Sequence, residues 1–154
     1  MSKRKELLGQ HHDAVWELAK LSQMRNPQER LNWGLNVVQA YALAEICNNT
    51  GMNVSQLAVT LSRTLSAATR IVDELAGQRL VKQAVSATDR RVHTLRATAK
   101  GITLHQRMRQ AGMDILATIF AGKRDEEIAS YTAVMSELVA GINQWRVNNA
   151  PARR

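Results

Sequence analysis

The stretch from Asn53 to Gly101 constrains this chain more than any other. Asn53 is a strong helix-capping residue, and Gln56 stands three positions after it, the spacing of a capping box. Leu57, Ala58 and Leu61 give the short helix that follows a buried side. Thr64 offers a second cap, and Ala68, Ile71, Val72 and Leu75 then repeat at helical spacing to about Gln78. The period changes after that. Leu80-Val81-Lys82-Gln83-Ala84-Val85 and Val92-His93-Thr94-Leu95-Arg96-Ala97 are short runs rich in Val, Leu and Thr, and they read as two strands. The loop Ser86-Ala87-Thr88-Asp89-Arg90-Arg91 joins them, and Thr98 caps the next helix.

The flanks are helical. A first helix is expected from about Lys3 to Arg25, with Leu8, His12, Val15, Leu18 or Ala19, and Ser22 along one stripe. Asn26-Pro27 ends it, because the residue before proline resists helical geometry. A second is expected from about Leu31 to Asn48, with Leu31, Leu35, Val38, Ala42 and Ile46 facing inward and Asn48-Asn49-Thr50-Gly51 as its stop. After Thr98 a long helix runs from about Ala99 to Ala121, with Gly122 as its stop. Gly112 inside it costs about 1 kcal/mol against alanine, so it implies a bend or a close helix contact. Asp125, Glu126 and Glu127 open a last helix, where acids suit the helix dipole. Along it Ile128, Tyr131, Met135, Leu138, Ile142 and Trp145 recur at coiled-coil spacing. That seam reads as a surface for a partner subunit, shared with the first helix; packing within one chain is the alternative. Pro151-Ala152-Arg153-Arg154 reads as an unstructured tail.

Charge narrows the partners. The formal net charge is +8, and the span from Arg63 to Arg109 carries ten cations against three anions. Such a concentration favours an anionic partner, nucleic acid or an acidic membrane surface. An apolar fraction of 45% in 154 residues allows one domain with a core of Leu, Val, Ile, Ala and Met. The single cysteine, Cys47, excludes an intrachain disulfide framework and reads as a buried structural thiol. No apolar run approaches the roughly 20 residues that cross a bilayer, and no apolar signal core follows the basic start. The expected location is a reducing cytoplasm, with no membrane partner. No phosphate-cradling glycine loop, elbow serine or metal motif is present, so no catalytic residue, metal site or cofactor is expected. His11 and His12 are neighbours in a helix and point about 100° apart, a poor arrangement for sharing one metal.

The outward face of the helix after Thr64 begins with Leu65, Ser66, Ala67, Thr69 and Arg70. Small side chains let a helix approach base edges, and arginine is the commonest specific reader of guanine. A helix-turn-helix beside a basic hairpin therefore predicts a mainly α winged helix-turn-helix with a small two- or three-stranded antiparallel wing, flanked by N- and C-terminal dimerisation helices.

The residues are also specific enough to suggest a family. Leu57-Ala58, Thr69-Arg70-Ile71-Val72-Asp73-Glu74-Leu75, Gln78-Arg79-Leu80-Val81, Asp89-Arg90-Arg91, and then Leu95, Thr98 and Gly101 resemble the MarR family of transcriptional regulators. The resemblance covers nearly the whole chain as a single domain, 1–154. It implies a winged helix DNA-binding region over 31–101 and dimerisation helices over 1–27 and 102–148. It implies a homodimer straddling a pseudo-palindromic operator in double-stranded DNA, commonly a repressor released by a small aromatic acid. By position, Thr64, Ser66, Ala67, Thr69 and Arg70 match the DNA-facing start of the recognition helix. Arg90 and Arg91 match the wing arginines, Asp89 the acid that orients one of them, and Lys82 a phosphate contact. For the effector crevice, Trp16, Trp33, Val37, Tyr41 and Met108 are the candidate lining, with His12 or Arg25 to meet a carboxylate. Leu65 departs from the family, which often has a polar or basic residue there; a methyl contact to thymine is what it leaves. The competing readings are an architectural DNA binder of low specificity and a winged helix used for protein contact.

Overall fold

The computed structural model describes residues 2–23, 33–85 and 93–149. These form six helices and one two-stranded antiparallel sheet: α1 (Lys3–Gln23), α2 (Val37–Asn48), α3 (Val54–Thr60), α4 (Leu65–Gly77), β1 (Val81–Val85), β2 (His93–Ala97), α5 (Ala99–Ile119) and α6 (Asp125–Asn148). The chain divides into two compact units, Met1–Arg109 and Gln110–Arg154. The predicted mainly α architecture with a small sheet is observed, with two strands. A backbone bond from the Leu95 amide to the Met52 carbonyl (2.7 Å) extends the sheet by one contact.

The caps follow the sequence. Asn53 and Gln56 close a full capping box on α3, each side chain bonding the other's backbone N–H at 2.8–2.9 Å. Thr64 caps α4, its hydroxyl accepting from the Ala67 amide (3.3 Å). The Thr98 hydroxyl accepts from the Gly101 amide at 3.1 Å, opening α5.

The second helix is shorter than the sequence suggests. It starts at Val37, not near Leu31, because Gly34 turns left-handed (φ +66°) and Asn36 forms a capping box with Gln39. A capping residue must be extended, so the helix cannot run back through it. Its buried residues are Gln39, Ala42, Leu43 and Ile46; Val38 is half-buried, and Leu35 is buried ahead of the helix. Leu31 lies outside the described residues, as do Asn26-Pro27 and the tail.

The core of the first unit is Leu35, Ala42, Leu43, Ile46, Met52, Leu57, Val72, Leu75, Leu80, Val81 and Leu95. It joins α2, α3, α4 and the sheet, so α4 is held by packing along its whole inner face. Each fully buried leucine stabilises by about 1.5–3 kcal/mol. Cys47 packs half-buried against this core, and burial raises its thiol pKa. Gly101 sits so close to Leu80, the residue before β1, that a Cβ there would collide with the Leu80 carbonyl and press on Leu43. Gly112 is different: among the described residues a Cβ would meet nothing within 4 Å, so no contact with them requires it.

Among its described residues the second unit has no comparable core. Ile119, Tyr131, Val134, Met135, Ile142 and Trp145 are all exposed, while Ile128 and Leu138 are half-buried. Phe120 and Tyr131 stack obliquely where α5 meets α6 (5.7 Å). In the first unit, α1 is likewise exposed at Leu7, Leu8, Val15 and Trp16. No helix among the described residues is long and apolar enough to cross a membrane.

Candidate nucleic-acid interface

Both ends of α4 are fixed by the same backbone device. At the turn before it, the Ser62 amide bonds the Val59 carbonyl (3.0 Å), and the Arg63 amide bonds the Ala58 carbonyl (2.9 Å). Ser62 is left-handed, with φ +53°. After it, the Arg79 amide bonds the Ala76 carbonyl (2.8 Å), and the Leu80 amide bonds the Leu75 carbonyl (2.9 Å), with Arg79 at φ +60°. Each is the paired bonding of a Schellman motif. Glycine usually takes that left-handed position, and neither turn has one, so the sequence alone did not reveal them. The start of α5 locks the far end of α4. Thr98 donates to the Arg79 carbonyl (2.7 Å), and the Lys100 ammonium donates to the Gln78 carbonyl (2.9 Å). A cation there also suits the negative end of the α4 dipole.

The outward face of α4 is short-sided and polar at its start. Thr64, Leu65, Ser66, Thr69 and Arg70 are exposed, and Ala67 is half-buried. The Thr64 and Ser66 hydroxyls bond each other at 3.1 Å. Thr69 donates its proton to the Leu65 carbonyl (2.9 Å), which leaves its oxygen as an acceptor. Leu65 is 56% exposed, an unpartnered apolar side chain among hydroxyls. Arg70 is 82% exposed and donates through Nε to Glu74 (2.9 Å). That bond, with a second from Gln39, holds the Glu74 carboxyl below its usual range.

In the sheet Lys82 lies directly opposite Arg96, and both are exposed. Like charges opposite each other destabilise a strand pair. Arg96 was not singled out from sequence, because the register that pairs it with Lys82 is visible only once the strands are aligned. Asp89, Arg90 and Arg91 lie outside the described residues.

A helix held at both ends, with an exposed polar start, beside a two-stranded sheet is a winged helix-turn-helix. Residues 33–92 match the family model described as MarR family. That segment matches the MarR family model, and the fold is similar to that of solved MarR family proteins. A MarR family protein from Bacillus stearothermophilus superposes with a TM-score of 0.80 at 19% identity, over 93% of this chain and 99% of that one. A second MarR family transcription regulator gives 0.77 at 21%, over 96% and 97%. FabT of Streptococcus pneumoniae, solved in complex with DNA, gives 0.63 at 20%, over 93% and 97%. No curated protein sequence matches the chain.

Of the described candidate effector residues, Trp33 alone lines the cavity beside the start of α5. Trp33 lines a cavity of about 310 Å³ with Gln78, Leu80, Lys100, Thr103, Leu104 and Arg107. The Arg107 guanidinium lies 5.4 Å from the centre of the Trp33 ring, a cation–π contact. His12, Trp16, Val37, Tyr41 and Met108 are not among the residues that line this cavity. His12 and Trp16 stack on each other along α1 (6.5 Å), and His12 bonds Asp13 at 3.3 Å. Tyr41 is exposed, Val37 is half-buried, and Met108 packs against the core. Arg25 lies outside the described residues. Lys100 and Arg107 were missed as pocket cations; their spacing of seven places them two helical turns apart on one side of α5, a signal the sequence did contain.

Proposed function

We propose that the chain is a sequence-specific, DNA-binding transcriptional regulator that works as a homodimer and represses until a small aromatic acid binds it. The observation that carries this reading is the outward start of α4: Thr64, Ser66, Thr69 and Arg70, on a helix pinned at both ends. A rigid helix with short polar side chains and one arginine suits the major groove. Arg70 supplies the fork that guanine pairs with, and Leu65 supplies an apolar contact for the thymine methyl. Lys82 and Arg96, opposed on the sheet, relieve their repulsion when a phosphate lies beside them. Arg90 and Arg91, with Asp89 orienting one of them, serve the wing. The complex of FabT with DNA supports the choice of ligand.

The region 31–101 is the reader in this account, and 1–27 and 102–148 provide dimerisation. Exposed apolar residues along α1 and α6 support the second assignment. The cavity of Trp33, Lys100 and Arg107 supports an aromatic anion as effector, since it offers a ring face and two cations.

The test is affinity on preferred, altered and random duplexes at several salt concentrations. The proposal expects a preferred site bound at least 10³-fold more tightly than random DNA at fixed salt. A small ratio assigns the protein to architectural binding instead. No salt-dependent binding at all assigns it to protein contact.

A further inference from the structure

Beyond the arginine itself, the structure carries a network that reaches Arg70 from inside the fold. Gln39 is buried, with 8% of its surface exposed. Its Oε1 accepts from the Asn36 amide (2.8 Å), so its Nε2 must serve as a donor, and it donates to Glu74 Oε2 at 2.7 Å. The other oxygen, Glu74 Oε1, accepts from Arg70 Nε at 2.9 Å. Thus Asn36, Gln39, Glu74 and Arg70 form one hydrogen-bonded line from the cap of α2 to the exposed face of α4. Every group has one role available to it: the cap fixes the amide of Gln39, the amide fixes the carboxylate, and the carboxylate fixes the guanidinium.

The carboxylate needs a reason. An acid on the face meant for DNA repels phosphate and lowers affinity for every sequence. A free arginine on an exposed helix samples many rotamers, and each must be lost on binding. Engaging Nε leaves the two terminal amino groups of Arg70, the fork that matches guanine O6 and N7. Deeper in the fold, Gln39 stops Glu74 from swinging with its partner.

We propose that Glu74 is the positioning residue for Arg70: anchored by Gln39, it pre-sets the guanidinium for a base edge and exchanges general affinity for discrimination. The proposal rests on the reading of Arg70 as a base reader. Its signature is two changes of opposite sign. Glu74→Gln removes a negative charge and keeps the side-chain size, so binding to random duplex strengthens. Discrimination at the base pair that Arg70 reads falls by about 2- to 12-fold, the range set by ordering one long side chain at an interface. Gln39→Met leaves the charge alone and releases the anchor, so it lowers discrimination at the same base pair without strengthening random binding.

The experiment measures affinity of the full chain and these variants on a selected duplex, on that duplex altered one base pair at a time, and on a random duplex, at fixed salt. Each Glu74 and Gln39 variant is repeated in an Arg70→Ala background. Loss of discrimination confined to one base pair, and absent once Arg70 is gone, supports the proposal. A destabilised fold would instead weaken binding to all duplexes together. Unchanged discrimination in Glu74→Gln, while Arg70→Ala still relaxes one base pair, overturns the positioning role alone. If Arg70→Ala relaxes nothing, both the base-reading assignment and the positioning role fall.

Discussion

In the proposed reading, Arg70 and Leu65 divide the work of α4 by chemistry. Arg70→Ala is expected to cost about 1–3 kcal/mol on the preferred site and to relax one base position, read by titrating matched and single-changed duplexes. Lys82→Ala is expected to act differently: it weakens all sequences alike and reduces the log–log salt slope by about 1, because a phosphate carries no sequence. The pair Arg70–Glu74 also sets a pH dependence. The folded pKa of Glu74 lies below its ordinary value of 4.5, chiefly through its bond from Arg70. Its stabilisation is therefore fully present above that ordinary value and is lost as pH falls through the folded one. Acid unfolding of Glu74→Gln should lack this contribution, which urea midpoints between pH 6 and pH 3 would show. Cys47 behaves in the opposite sense, since burial raises its pKa and only the thiolate attacks. Its alkylation in the folded protein should be slower than in the unfolded chain at the same pH; equal rates would contradict the burial.

At the scale of elements, α4 is held rigid by its neighbours, as the proposed reading head must be. The close approach of Gly101 to the Leu80 carbonyl sets where α5 begins. Gly101→Ala should force that start outward and cost about 1–3 kcal/mol of unfolding free energy, as overpacking does. Ser62 pays a left-handed conformation in the turn before α4. Ser62→Gly should raise stability by up to about 1 kcal/mol, and Ser62→Val should lower it, by denaturant unfolding. Caps were legible in the sequence because side chain and spacing together identify them, as at Asn53, Thr64 and Thr98. The two left-handed turns were not, because Ser62 and Arg79 stand where glycine is the usual marker. The start of α2 differs from the expectation for a related reason: Leu31 and Leu35 continue the helical period in the sequence, and the left-handed Gly34 and the cap at Asn36 break it. The link from Gln39 to Glu74 joins residues far apart in sequence, so no local pattern announces it. The outward face of α4 needed only the helical period. The cavity around Trp33 needed the fold, because its lining comes from three separate stretches of the chain.

For the whole molecule, the proposed homodimer would cover the exposed apolar residues of α1 and of α6. Apolar surface of that regularity marks an interface. Light scattering in dilute, low-salt buffer should return twice the chain mass, and a single mass would contradict the dimer. Trp33 beside Arg107 would make binding of the proposed effector visible. A small aromatic carboxylate should quench tryptophan fluorescence and weaken operator binding, and by linkage the operator should weaken the ligand by the same factor. The central claim is that a dimer of these chains reads double-stranded DNA by sequence. Selection of bound duplexes from a random pool tests it most directly. The account predicts enrichment of a pseudo-palindrome whose half-sites lie about one helical turn, roughly 10 base pairs, apart. A bound pool with no enriched sequence, or an enriched site without two related halves, would contradict it.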